Sequence, residues 1–288
     1  MAKSKRHHYI PQFFLRGFTN EAGEYFIYDK IKDEIRKSKP INTFFENKRN
    51  TGRLGNTEDD FLENLYARFD TRTAPFIEEL RKMTSTNYTL HPETLARLKM
   101  FIPQLFWRIP KNDENLERII DSIPFEATGF KIVNHEGKPV SHDIQSKLKD
   151  VDYFRKMYHI LIPFITHNNI YRNNEYDTWK VYFRENKSIL GDNPIITKAL
   201  TDFGCLTREI IFPVCSDKFL IHTRQPKPLN LPPLFIFELD LLMIIQAKRF
   251  VCCADEKYLN TLINRFYPIF NTPDMALEMR KSLFSHFQ

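Results

Sequence analysis

The spacing of apolar residues divides the chain into three stretches. In residues 1–56 they form short runs bounded by turn residues, and the runs 25–28 and 35–40 predict two strands of a small β-meander. In residues 57–168 they recur about every 3.6 positions, the period of an amphipathic helix. In residues 169–288 strand-like and helix-like runs alternate without a regular βαβ repeat.

The helical stretch begins at Thr57, where the pattern is typical of a capping box, and it includes one long amphipathic helix at 144–165. The C-terminal stretch predicts the strands 179–183, 209–214, 219–222 and 249–253 and the helices 234–247, 255–266 and 274–287. We therefore expect one α+β domain over residues 1–288, made of a β-meander with a basic loop (1–56), a helical segment (57–168) and a mixed segment (169–288).

Composition indicates a cytoplasmic protein with no membrane span. No apolar run reaches 18 residues, and no apolar segment follows the basic N-terminus. The four cysteines form no Cys-x-x-Cys pair, which favours reduced thiols in a reducing compartment. The net charge of +6 is compatible with a nucleic-acid or nucleotide partner without requiring one.

The first candidate site is the segment His-His-Tyr-Ile-Pro-Gln at residues 7–12. In an extended chain His7 and His8 face opposite ways, so one can face a site while the other contacts the backbone. Histidine suits general base catalysis or metal binding near neutral pH, and Gln12 adds an amide. The alternative is a surface histidine pair at a chain end. The apolar residues that follow argue against it, because they must be ordered to be buried.

Three further candidates come from distant parts of the sequence. Asp192 and Asn193 end a predicted strand, where Asp192 could bind a divalent metal or orient a histidine; the alternative is an Asx turn closed by proline. Gln104 and Arg108 are one helical turn apart and suit a phosphate or carboxylate; the alternative is an ion pair with an acidic neighbour such as Asp60 or Glu63. Arg249 precedes a buried strand and needs a carboxylate, for which Asp192 is a candidate.

Several motifs resemble the bacterial "domain of unknown function 4238" family. The opening HHYIPQFFLRGF is similar to the family's HHYxPQFYLxNF, and SILGDNPI is similar to its T-S-D-N-P-V segment. Three weaker matches occur in FIPQLFWRIP, IIFPVCSDKFLI and AKRFVCCAD. Two positions depart from the family: Gly17 stands where Asn is usual, and Gly191 where Ser is usual. The resemblance implies a shared fold and a shared site location, and no activity.

Two functions are consistent with these residues. The first is a hydrolase or nuclease acting on a phosphodiester, with His7 or His8 as base or metal ligand, Asp192 as metal ligand or histidine partner, and Arg108 as phosphate clamp. The basic loop containing Lys48, Arg49 and Arg53 agrees with a polyanionic substrate. The second is a non-catalytic nucleotide- or partner-binding module of a bacterial defence or stress system. Convergence of the histidines, Asp192 and Arg108 would favour the enzyme.

Overall fold

The computed structural model describes residues 5–84, 90–123, 131–148, 150–170, 178–185, 187–198 and 209–287. Its secondary structure is 51% helix and 19% strand. Among the described residues all paired strands are antiparallel, and the middle of the chain is helical whereas its two ends contain the strands. These features confirm the α+β class.

The N-terminal stretch contains more strand than its pattern predicts. Its elements are β1 (Arg6–His8), α1 (Gln12–Leu15), β2 (Tyr25–Asp29), β3 (Glu34–Ser38), β4 (Phe45–Asn47), β5 (Gly52–Leu54) and β6 (Thr57–Asp59). The β2–β3 hairpin is the predicted meander. The basic loop is not a plain loop, because β4 pairs with β1 and β5 pairs with β6. The prediction that Thr57 opens a helix is wrong, since Thr57 lies in β6.

The central stretch is helical, as its period predicts. It contains α2 (Phe61–Lys82), α3 (Pro92–Arg108), α4 (Asp113–Ser122), α5 (His142–Leu148) and α6 (Asp152–Ile170). The single helix predicted at 144–165 is two helices, because a turn follows α5 and the backbone N–H of Val151 donates to the Leu148 carbonyl. Helix α2 is continuous through Pro75. None of the helices in the described parts of the chain is long and apolar enough to cross a membrane.

The C-terminal stretch follows its predicted alternation with small shifts of the boundaries. Its elements are β7 (Trp179–Phe183), β8 (Leu190–Gly191), β9 (Ile196–Thr197), β10 (Ile210–Cys215), β11 (Lys218–His222), α7 (Pro233–Gln246), β12 (Phe250–Cys253), α8 (Glu256–Thr261), α9 (Tyr267–Phe270) and α10 (Pro273–Ser285). A π-helical turn at Leu262–Phe266 joins α8 to α9.

Two four-stranded sheets organise the fold. One sheet has the order β7-β11-β10-β9 and is built from the C-terminal stretch alone. The other has the order β3-β2-β12-β8, so the N-terminal hairpin is completed by strands from residues 190–253. This second sheet ties the first and third stretches of the chain together.

The opening segment is part of the core. Ile10, Phe14 and Leu15 are fully buried, and the Phe14 ring stacks on Phe212 of β10 with centroids 5.3 Å apart. Helix α1 is a single turn that starts at Pro11, whose carbonyl accepts hydrogen bonds from Phe14 and Leu15. The expectation of an ordered N-terminal segment is therefore correct. Cys215, Cys252 and Cys253 are buried free thiols, whereas Cys205 lies outside the described residues.

Candidate functional site

An open cleft of about 860 Å³ lies between the opening segment and helix α2. We call it the N-terminal cleft. One wall is formed by β1 and α1 and includes His8, Gln12 and Phe13, and the other is the face of α2 that carries Glu63 and Asp70. That face also carries three small side chains, which leave room for a ligand: Ala67, Thr71 and Ala74.

His8 presents its Nδ1 atom to this cleft as a hydrogen-bond acceptor. Its Nε2 lies 3.2 Å from the Pro40 carbonyl oxygen, which only accepts hydrogen bonds, so we assign the proton to Nε2 and the lone pair to Nδ1. Gln12 Nε2 lies 3.5 Å from that Nδ1. Burial lowers the pKa of His8 from its ordinary value of 6.5 to about 4. The ring is therefore neutral at physiological pH and acts as a hydrogen-bond acceptor.

His7 faces away from the cleft, as the alternation of β1 requires. Its ring is fully buried, and its Nδ1 accepts a hydrogen bond of 2.9 Å from the backbone N–H of Asn50. Glu63 Oε2 is 3.8 Å from the same nitrogen, and this carboxylate also accepts a bond of 2.7 Å from Asn50 Nδ2. These contacts attach His7 to the loop between β4 and β5.

Arg108 connects α3 to both walls of the cleft. One terminal nitrogen donates to Asp70 at 2.8 Å and the other to the His8 carbonyl at 2.9 Å. The guanidinium also lies 4.2 Å above the Tyr66 ring. The acidic partner is Asp70, rather than Asp60 or Glu63. Because its charge is paired with Asp70 and it also binds the backbone of His8, this arginine fixes the shape of the cleft.

The floor of the cleft explains one departure from the family pattern. The guanidinium of Arg81 donates to the carbonyls of Phe13 and Phe14 at 3.0 and 2.8 Å. A Cβ atom at Gly17 would overlap that guanidinium. Gly17 and Arg81 therefore fit each other, and the arginine occupies the space that an asparagine side chain would need.

Asp192 lies outside the N-terminal cleft, beside a smaller cavity of about 170 Å³ that includes Tyr9, Lys111 and Arg249. Its carboxylate accepts three backbone N–H bonds, of 2.7 Å from Lys248, 2.8 Å from Arg249 and 3.0 Å from Phe250. Burial raises the pKa of this carboxyl, and the three N–H groups oppose the rise. The side chain holds the end of β8 to the start of β12, so it forms neither the Asx turn nor a contact with His8.

The remaining candidate residues also lie in different parts of the fold. The guanidinium of Arg249 pairs with Asp29 at 2.9 Å. Asp192, the candidate partner from the sequence, instead accepts a hydrogen bond from the Arg249 backbone N–H. Gln104 is buried, and its Oε1 has no hydrogen-bond partner among the described residues. Asn193 lines a third cavity, between α7 and α10. Of the predicted set, the N-terminal cleft brings together His8, Gln12 and Arg108.

No group of three or more metal-binding side chains occurs within the residues that the structure describes. His7 Nδ1 and Glu63 Oε2 lie 3.8 Å apart. These two side chains form a pair without a third ligand, and Asp192 is in a different cavity. The structure thus offers no set of described residues that could hold the divalent metal considered from the sequence.

Several site residues were not predicted from the sequence. Asp70 lies two helical turns after Glu63, and this spacing could have placed both carboxylates on one face of α2. Arg280 of α10 and Lys111, which line the third cavity with Asn193, carry no such signal, because they are isolated in the sequence and meet only in the fold.

Comparisons with known proteins return one match. The family described as "Protein of unknown function (DUF4238)" matches residues 6–257, which is most of the chain and includes β1 through β12. No curated protein and no solved structure matches this chain.

Proposed function

The chain belongs to the DUF4238 family, and from that premise we propose that the N-terminal cleft binds a nucleoside or nucleotide without transforming it. The observation that carries the proposal is the cleft itself, which places His8 Nδ1 and the Gln12 amide opposite the carboxylates of α2. Its volume of about 860 Å³ is within the range of small-molecule sites.

The groups that line the cleft match the parts of a nucleoside. The edge of a nucleobase carries both N–H donors and acceptors, which suit the acceptor His8 Nδ1 and the amide of Gln12. The half-buried ring of Phe13 offers a surface for base stacking. Carboxylates bind ribose hydroxyls in nucleotide sites, and Glu63 is available for this role because its side chain is 26% exposed.

A phosphate would be placed at the mouth of the cleft. Arg16 is exposed there, and in the described part of the chain no carboxylate lies within 4 Å of its guanidinium. It is therefore available to an anion in a way that Arg108, which is bound to Asp70, is not.

The basic loop gives little support to a long nucleic acid as ligand. Lys48 pairs with Glu58 at 2.7 Å and Arg49 pairs with Asp113 at 2.6 Å, while Arg53 lies 3.5 Å from Glu58. Because each cation has a carboxylate partner, the loop does not form an uncompensated basic stripe. The proposed ligand is for this reason a mononucleotide or nucleoside.

Hydrolysis of a phosphodiester is the second candidate function. One observation favours it, namely the lone pair of His8 Nδ1 in the cleft, which has the position of a general base. Two observations rank it below binding: a pKa of about 4 makes His8 a weak base at neutral pH, and Asp192 lies in another cavity. The role in a defence or stress system remains a prediction from the sequence.

The proposal is tested by calorimetry with the four common nucleosides and their 5′-monophosphates, in the presence of EDTA. We expect saturable binding of at least one of them, and its loss in Ala67→Leu, where the larger side chain fills the cleft. Asn64→Leu places the same side chain at an exposed position of α2 that does not line the cleft, and it serves as the matched control. Absence of binding to wild type, or equal binding by both variants, refutes the proposal.

Product analysis separates the two functions. After incubation with nucleotides, RNA and DNA, with and without Mg²⁺ or Mn²⁺, we expect chromatography to recover every ligand unchanged. Cleavage by wild type that is absent in His8→Ala would show that the second candidate is correct. Cleavage that persists in His8→Ala would exclude His8 as the base.

A further inference from the structure

A third cavity, of about 370 Å³, lies between the turn after α3 and the helices α7 and α10. We call it the α7–α10 cavity. Two cations line it, Arg280 from α10 and Lys111 from the turn at Pro110–Asn112. No aspartate or glutamate does so among the described residues. The cavity is therefore unusual for its excess of positive charge.

Arg280 is buried without a counter-ion in this part of the structure. It is 6% exposed, and its guanidinium donates to the Thr197 carbonyl and, at 3.3 Å, to Gln246 Oε1. No carboxylate of a described residue lies within 4 Å of it. A buried cation is costly unless it is paired, and burial lowers the pKa of Arg280 to about 10.

Lys111 adds a second positive charge at the same place. Its Nζ donates to the Gln246 carbonyl at 2.6 Å. Burial lowers the pKa of this amine; the charge of Asp192, in the neighbouring cavity, opposes that fall, and the nearby charge of Arg280 adds to it. Gln246 thus holds both cations, one through its main chain and one through its side chain, and neither cation forms an ion pair within 4 Å with a described carboxylate.

The rest of the lining is partly amide and partly apolar. Asn193 contributes an Oδ1 that is buried and has no hydrogen-bond partner in the described structure, and Asn115 adds a second amide. The apolar part of the lining includes Phe106, Leu242 and Leu277. An occupant therefore needs a charged end for the cations and an apolar body for this wall.

From these contacts we infer that the α7–α10 cavity binds a phosphate monoester that has an apolar body. Two cations match the charge of a phosphate monoester, which is about −1.5 to −2 at pH 7. Thr197 and Gln246 use two of the five N–H donors of Arg280, and the planar guanidinium can present the others to phosphate oxygens. The site lies apart from the N-terminal cleft and does not depend on the function proposed for that cleft.

Binding is measured by calorimetry on the full chain with phenyl phosphate and with inorganic phosphate. We expect phenyl phosphate to bind at least tenfold more tightly, because its ring contacts the apolar wall. Arg280→Gln and Lys111→Gln should each weaken phenyl phosphate binding by at least tenfold. Lys281→Gln, at an exposed neighbour of Arg280 that pairs with Glu278, should leave it unchanged.

The outcomes distinguish this inference from the function proposed above. Ala67→Leu should abolish nucleoside binding and leave phenyl phosphate binding intact. If Arg280→Gln fails to fold, Lys111→Gln still tests the site, since Lys111 is an exposed residue in a turn. Absence of saturable binding to wild type, or equal binding by wild type and both cavity variants, overturns the inference.

Discussion

Replacing Asp192 with asparagine tests whether this residue holds the fold or acts on a ligand. Oδ1 accepts one backbone N–H bond, from Lys248, and Oδ2 accepts two, from Arg249 and Phe250. Asparagine keeps the shape but has one carbonyl oxygen. Its best orientation keeps the two bonds at the Oδ2 position and places its NH₂ group against the Lys248 N–H, where two donors face each other.

The expected cost follows from these contacts. Losing a hydrogen bond to a charged acceptor costs roughly 1.5–3 kcal/mol, and the two bonds that remain weaken because a neutral oxygen replaces a carboxylate. Part of this cost is offset, because the neutral asparagine avoids the desolvation penalty that raises the pKa of the buried Asp192 carboxyl. We expect the free energy of unfolding of Asp192→Asn to fall by about 3 kcal/mol.

Urea denaturation followed by circular dichroism measures this change. The midpoint should fall by about 1 M with an unchanged slope, if the slope is about 3 kcal/mol per M. Asp143→Asn is the control, because its side chain is 75% exposed, and it should change stability by less than about 0.5 kcal/mol. A wild-type midpoint for Asp192→Asn, combined with lost ligand binding, would refute the structural role and support a direct one.

Three further predictions concern the site and its surroundings. Arg108→Gln leaves the half-buried Asp70 without its ion pair, so urea denaturation should show a loss of about 2–3 kcal/mol, and a loss below 1 kcal/mol would contradict this. Burial lowers the folded-state pKa of His8, and that of His159 in α6, whose Nδ1 lies 3.1 Å from the Trp107 carbonyl oxygen, from the ordinary value of 6.5 to about 4. The unfolded chain therefore binds their protons more readily, and stability should fall by roughly 1 kcal/mol per histidine as pH drops from 7 to 5.5. His159→Gln should flatten that slope, and an unchanged slope would contradict the assignment. Gly191→Ser introduces the residue that is usual in the family, but its Cβ would lie 2.8 Å from a backbone oxygen of α7. The melting temperature should therefore fall by several degrees, equivalent to about 1–3 kcal/mol. An unchanged melting temperature would show that α7 can move aside.

The local elements were predictable because their signals are local. The hairpin β2–β3 has strand-forming residues on both sides of a turn, and it forms as predicted. The predicted helices at 234–247 and 274–287 appear as α7 and α10, each shifted by one or two residues. The helix start predicted at Thr57 was wrong because a capping pattern is also compatible with a strand, and β5 pairs with this segment.

The candidate site was predictable only in part, because its members come from distant segments. His8 and Gln12 are four residues apart and share the wall of one cleft, as their spacing allows. Arg108 reaches His8 across 100 residues, and Asp192 is held by a backbone that follows 56 residues later. No periodicity in a single sequence records such pairings.

The sequence by itself determined the class of fold and the division of the chain into an N-terminal stretch with a β-hairpin, a helical middle and a mixed C-terminal stretch. It also determined that the opening segment is ordered, since its apolar residues, among them Ile10, Phe14 and Leu15, must be buried. Only the tertiary structure decided which polar groups meet. It placed His8 and Arg108 at one cleft and Asp192 at another, and it brought Arg280 and Lys111 together. The physical reason is that apolar periodicity encodes burial, whereas hydrogen bonds and charge contacts depend on how distant elements pack.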